Sequence, residues 1–200
     1  MSTTAGPYGF RPIGRIGSTP YAGGTRWYGL SANSATGFFT GDIVHMAAGV
    51  PTVLTTTPAV GTVTNLTIGV FVGCSYVSSS NNMVYAPYLP ANAITGGATN
   101  VQLEILDDPN AIFQIQADGL VALTNIGKNA QLTGFSAGVT STGLSGVKIA
   151  TATIGATTTL PVRIIDVPVL AGVSTPGDAY TDCYVIFNFG AHQYQQTTGA

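Results

Sequence analysis

"VQLEILDDPNAIFQIQ", residues 101–116, is the stretch that decides the fold class. Val101, Leu103 and Ile105 fall on one face, and Gln102 and Glu104 on the other. That period of two is the mark of a half-buried β-strand. Asp107-Asp108-Pro109-Asn110 is turn chemistry, with Asp side chains able to bond nearby backbone N–H groups. "IFQIQ" (112–116) then resumes the strand pattern.

The same reading extends outward in both directions. "TIGVFVGCSYV" (67–77) is too uniformly apolar for a strand with one wet face. "VKIATATI", "LPVRIIDV" and "DCYVIFNF" are rich in the β-branched and aromatic residues that suit a pleated surface. Pro161 marks its strand as an edge or a bulge. Between them lie turn-rich loops such as "PANAITGGATN" (90–100), and only "DGLVALTNIGKNAQL" (118–132) has room for a short helix. Strand follows strand without helical crossovers, so an all-β domain is predicted over 42–190, either a β-sandwich of jelly-roll type or a barrel. An extended N-terminal arm (1–41) precedes it and a polar C-terminal tail (191–200) follows.

In "CYVIFNF" both faces are apolar: Cys183, Val185, Phe187 and Phe189 on one, Tyr184 and Ile186 on the other. A strand with two apolar faces in a two-layer protein calls for a third layer. Either the chain's own loops or a neighbouring subunit must supply it, which makes Tyr184 and Ile186 candidate subunit contacts.

Charged residues make up 7% of the 200, against about 25% in an ordinary soluble domain. There are 28 threonines and 26 glycines in their place. With 45% hydrophobic residues this is not a disordered composition. A Thr/Ser/Gly/Asn surface loses little side-chain entropy when another surface docks on it, as in an assembly. A formal charge of −2 gives nucleic acid no footprint. No apolar run is long enough for a spanning helix, and "MSTTAGPYGF" lacks the basic start and apolar core of a signal peptide, so no membrane association is expected. Cys74 and Cys183 lie within apolar strands and read as buried free thiols.

Several chemical motifs compete with plainer readings. "GFSAG" (134–138) matches G-x-S-x-G, with Asp166, Asp178 or Asp182 and then His192 in hydrolase order. That motif needs a strand-to-helix turn to expose Ser136, and loop composition flanks it on both sides. Glu104, Asp107, Asp108 and Asp118 have oxygen ligands suited to calcium, but such a site needs six or more of them and "DDPN" already reads as a turn. For glycoside hydrolysis these carboxylates lack aromatic sugar platforms nearby in sequence. Two Cys and two His give no compact transition-metal set. Asn65-Leu66-Thr67 is a sequon in a Thr-rich chain. No enzymatic activity and no cofactor is therefore expected.

The arm segment "GPYGFRPIGRIGSTPYAGGTRWYG" (6–29) holds three of the six Lys plus Arg, namely Arg11, Arg15 and Arg26, and five aromatics, Tyr8, Phe10, Tyr21, Trp27 and Tyr28. Ordering it costs more backbone entropy than its aromatics return on their own. It is expected to be mobile alone and to become ordered along another subunit's strand edge, with the arginines bonding carboxylates. Folding back on its own domain is the alternative. Removal of 1–29 is expected to leave the β domain folded.

Taken together, "GPYGFRP", "GDIV", "DDPNAIFQIQADG", "GKNAQL", "TGLSGVKI", "LPVRIID", "PGDAY" and the C-terminal "HQY" resemble the capsid decoration (cement) proteins of tailed bacteriophages over roughly 6–194. The resemblance implies a virion protein added to the outer capsid surface after synthesis in the host cytoplasm. It implies a homotrimer at threefold positions that clamps the major capsid protein, with no catalytic residues to carry over. A tail- or fibre-associated component, or a carbohydrate-binding surface protein using Tyr88 and Tyr180, is the alternative.

Overall fold

The computed structural model describes residues 4–17, 20, 22–58, 60, 67–169 and 173–195. Fourteen strands are present among them: β1 Arg11–Arg15, β2 Arg26–Gly29, β3 Phe38–Phe39, β4 Ile43–Ala47, β5 Val50–Val53, β6 Thr67–Val77 and β7 Met83–Ala86 in the first half. The second half holds β8 Tyr88–Leu89, β9 Thr99–Leu106, β10 Ala111–Gln116, β11 Asn129–Thr133, β12 Lys148–Gly155, β13 Val162–Asp166 and β14 Asp182–Phe187. The first sheet runs β1-β10-β14-β13-β11-β12 and the second β2-β9-β6-β4-β5, with β7 also on β6; β3 and β8 form a small ribbon. All these strand pairs are antiparallel. The domain is all-β and sandwich-like, and the sheets do not close into a barrel.

The opening stretch turns out to be a corner between the sheets. β9 belongs to the second sheet and β10 to the first, so residues 107–110 carry the chain across. One core lies between the sheets, where Phe113, Ile115, Ile149, Ile164, Cys183, Val185 and Phe187 meet Ile43, Val70 and Leu106. A second core lies behind the second sheet, where Val101, Leu103, Ile105, Ile68 and Phe71 are covered by Leu30, Phe38, Leu89 and Ala98. β6 contributes to both cores, which is why its sequence is apolar on each face. The first sheet has no such cover: Tyr184 and Ile186 on its outer face are half-buried.

The structure departs from the sequence reading at four places. The described part of the arm pairs with its own chain, β1 with β10 at one sheet edge and β2 with β9 at the other. Pro161 sits just ahead of β13, which is an interior strand and not an edge, although a bulge-type register shift between Ile164 and Asp166 agrees with the other half of that expectation. Residues 118–132 hold a single 3₁₀ turn, Leu123–Asn125, before β11. The start of the C-terminal segment is built into the fold, with Ala191 and His192 fully buried.

Phe10 explains why the arm belongs to the domain. It is 1% exposed and packs at 5.4 Å against Phe113 and 5.3 Å against Phe187, within the range of favourable aromatic pairs. Access to that slot depends on two glycines. Gly9 and Gly41 have φ of 72° and 93°. A Cβ on Gly9 would lie 2.6 Å from the Gly41 oxygen, and one on Gly41 would lie 2.7 Å from the Tyr8 oxygen. The close approach lets the Phe10 N–H donate to the Gly41 carbonyl at 3.0 Å.

Phe10→Ala is therefore expected to destabilise the protein by about 3–5 kcal/mol in urea unfolding, instead of the tolerance expected for an arm that is merely appended. Gly9→Ala should cost roughly 2–4 kcal/mol, because strain at positive φ adds to backbone contact. Gly14→Ala, with open space around it, should stay within about 1 kcal/mol.

Candidate functional site

Several arm side chains are tied to the domain. Tyr8 donates its hydroxyl to Asp182 Oδ1 at 2.9 Å, while Gln114 donates to the other carboxylate oxygen at 3.2 Å. Burial, and secondarily the Asp182 charge, raises the Tyr8 pKa well above the usual phenol range. Arg11 is exposed at the start of β1. Arg15, at the far end of that strand, pairs through Nε with Asp108 Oδ2 at 2.5 Å. Arg26, opening β2, pairs with Asp107 Oδ2 at 2.8 Å. The two arginines thus grip adjacent carboxylates of the inter-sheet corner. Tyr21 lies outside the described residues, as does Asn65 of the sequon.

Asp107 is the busiest acceptor of this corner. Besides Arg26 it accepts from the hydroxyls of Tyr28 at 2.8 Å and Tyr194 at 3.3 Å. Those two hydroxyls lie 2.9 Å apart, and the Arg26 guanidinium sits 5.5 Å from the Tyr194 ring centre, a cation–π distance. Burial foremost, then the bonds to Tyr194 and Asp107, raises the Tyr28 pKa. Asp107 is 6% exposed, whereas the Arg26 side chain that reaches it is mostly open to solvent. Arm, corner and C-terminal segment are thereby locked at one place.

His192 lies beside this cluster, with ring centres 6.3 Å from Phe187 and 5.3 Å from Tyr194. Burial pushes its pKa down to about 4, against the opposing pull of Asp107 and Asp108. A second buried titrating group lies where the arm docks. Asp42 accepts from the Phe39 N–H at 2.8 Å and from the Ser145 hydroxyl at 2.5 Å. Burial outweighs these bonds and pushes the Asp42 carboxyl up to about 6.

Ser136 stands at φ 60° in the β11–β12 connection. Turns and an isolated bridge follow it instead of a helix, so the setting of a nucleophile elbow is not built there. His192 is engaged at the corner, Asp182 holds Tyr8, and Asp166 bonds the Val167 N–H. The acidic residues are likewise dispersed: Asp118 accepts from the backbone and hydroxyl of Thr151 at 2.9 and 2.7 Å. Among the described residues no group of three or more His, Cys, Asp or Glu is placed to hold a metal ion. Cys74 and Cys183 are free and buried, which raises their thiols to about 11 and about 12. No helix among the described residues is long and apolar enough to cross a membrane.

Among the described residues, two uncovered apolar surfaces belong to the first sheet and its loops. One is the outer face of the first sheet, where Ile13, Ile112, Ile165 and Tyr184 line a shallow groove beside Arg15 and Asp166. The other was not legible in the sequence. Loops 117–128 and 173–181 are tied together at one end of that sheet, by Gly177 N–H to the Val121 carbonyl and Val121 N–H to the Thr181 hydroxyl. Gly127 joins them to β13 through the Ile164 carbonyl. Leu120, Leu123, Ile126, Val169 and Val173 are exposed along this end. No family model, curated protein or solved structure matches the chain.

Three outcomes follow from the buried titrating groups and the corner. Asp42 favours the folded state as pH falls from about 6 toward 4, whereas His192 disfavours it as pH falls from 6.5 toward 4. Their contributions oppose one another over the same range. Asp42→Asn should therefore lose on the order of 3 kcal/mol more stability than the parent between pH 6.5 and pH 4; parallel stability–pH curves would refute this. Asp107→Ala should cost about 1–3 kcal/mol, since it removes the shared acceptor of two tyrosine hydroxyls while the exposed Arg26 keeps its hydration. Arg15→Ala, which breaks a single half-exposed ion pair, should cost about 1 kcal/mol or less in the same denaturation assay.

Proposed function

We propose that this chain is a structural virion protein, a decoration protein that sits on the outer surface of a phage capsid, bridges capsomers of the major capsid protein and stabilises the head. The observation that carries the reading is the outer face of the first sheet. The second sheet buries its outward apolar residues under the chain's own loops, whereas Tyr184, Ile186, Ile112 and Ile165 are left half-buried. A sister subunit supplies their third layer, in a homotrimer. The loop end bearing Leu123, Ile126 and Val169 serves as the foot on the capsid.

Support also comes from where the decoration-protein resemblance falls. "GPYGFRP", "GDIV" and "TGLSGVKI" supply Gly9, Gly41 and Ser145, which meet where the arm docks. "DDPN" and "HQY" supply Asp107, Asp108 and Tyr194, which meet at the corner. The resembling residues are those that hold this architecture together. A sparsely charged surface with separate self-association and docking faces suits a protein whose work is many weak contacts multiplied by symmetry.

The test is solution mass by light scattering on a sizing column, followed by addition to heads stripped of the protein. The parent should run as three chains and restore the heads' resistance to heat. Ile186→Lys should run as a single folded chain, and Leu123→Asp should remain trimeric but fill fewer capsid sites. A parent monomer, or full occupancy by Leu123→Asp, would contradict the assignment.

A further inference from the structure

The second sheet extends beyond the cover of the first. On its inward face Leu106, Val70 and Val72 pack in the core between the sheets. Glu104 and Gln102 continue the same face of β9 but are only half-buried. Register places their neighbours. Trp27 lies opposite Glu104, which lies opposite Gly73; Gly29 lies opposite Gln102, which lies opposite Ser75, itself opposite Tyr85. Directly opposed residues share a face, so a single surface carries Trp27 toward one corner and Tyr85 toward the other. Their indole and phenol are 50% and 74% exposed.

Between the two rings lies a trough of about 300 Å³. Gly73 forms its floor and leaves it unfilled. Glu104 stands over the floor: Oε1 accepts from the Thr25 hydroxyl at 2.7 Å, and Oε2 faces the space above Gly73, 3.8 Å from where a Cβ would lie. No Lys or Arg among the described residues lines the trough.

We infer that this trough is a binding site for a neutral oligosaccharide, with Trp27 and Tyr85 as stacking platforms and Glu104 as hydroxyl acceptor. Exposed aromatic rings spare a sugar's C–H face from water while leaving its hydroxyls free to bond. A carboxylate acceptor and an amide (Gln102) beside it match a ligand that presents many hydroxyl donors. The same carboxylate, with no compensating cation, repels phosphate and acidic sugars, which sets nucleic acid and sialylated glycans aside. Three strand spacings and a two-residue offset put the aromatic Cα atoms roughly 15 Å apart, the span of a short chain of rings and not of one. The platforms differ from the loop tyrosines of the sequence reading. Tyr88 is stacked on Phe39, ring centres 5.7 Å apart. Trp27 also supplies the aromatic neighbour that Glu104 lacks in sequence.

Trp27 is the chain's one tryptophan, so its emission reports on the site directly. The full-length protein would be titrated with hexasaccharides of neutral glucans, mannans and galactans, and with sialyllactose as the anionic control. A saturable emission change with at least one neutral sugar and none with sialyllactose is expected. Glu104→Gln, Tyr85→Ala and Gly73→Val should each weaken that binding by about tenfold or more. Tyr85→Ala alters an exposed side chain and should melt at the parent temperature, which separates lost binding from lost folding. The inference is overturned by no saturable change with any neutral sugar, by unchanged affinity in Tyr85→Ala and Gly73→Val, or by preference for the anionic glycan. Capsid occupancy involves other faces, so failure here leaves the decoration reading standing.

Discussion

Two neighbouring carboxylates at one turn organise this molecule. Asp107 and Asp108 stand where the chain leaves one sheet and enters the other, and each holds one arginine of the N-terminal segment. Arg15 ends the strand added to the first sheet, and Arg26 begins the strand added to the second. The corner therefore fixes both edge strands as well as the crossing. Tyr28 and Tyr194 add the second sheet and the C-terminal segment to the same acceptor. In a chain with so few charges, two acids and two arginines meet at this one point, in two neighbouring ion pairs. Phe10 supplies the apolar counterpart, seating the arm in the core between the sheets.

Much of this was legible in the sequence because strand periodicity is a local signal. The alternation of 101–106 gave a strand whose Val101, Leu103 and Ile105 are buried on one side. The unbroken apolar run at 67–77 is the strand shared by two cores, and the two-faced run at 182–187 is the strand with a half-covered outer face. The chemistry of the arm was also readable: arginines seeking carboxylates, aromatics seeking burial. Their destination was not, because entropy bookkeeping on an isolated segment omits the strand edges that its own domain offers. Those edges exist only once the sheets have formed.

Register is the other thing that composition hides. Nothing local in the sequence brings Trp27 beside Glu104 or Glu104 beside Gly73, since β2, β9 and β6 are separated along the chain; Tyr85 reaches Ser75 through the short β6–β7 connection. The exposed aliphatic end has the same origin: Leu120, Leu123, Val169 and Val173 are scattered residues in loops that only the strand order gathers. Buried polar groups are similar. Asp42 and His192 each look like ordinary strand-flanking or tail residues, and only packing makes them titrate far from their usual ranges.

The central claim is that the N-terminal segment is an integral edge of both sheets of its own domain. Hydrogen exchange of the backbone amides, at a dilution where the chain is dispersed, tests it most directly. The account predicts that the bonded amides of Arg11–Arg15 and Arg26–Gly29 exchange on the timescale of their partners in β10 and β9. Exchange at the rate of an unstructured peptide, with β9 and β10 still protected, would contradict it.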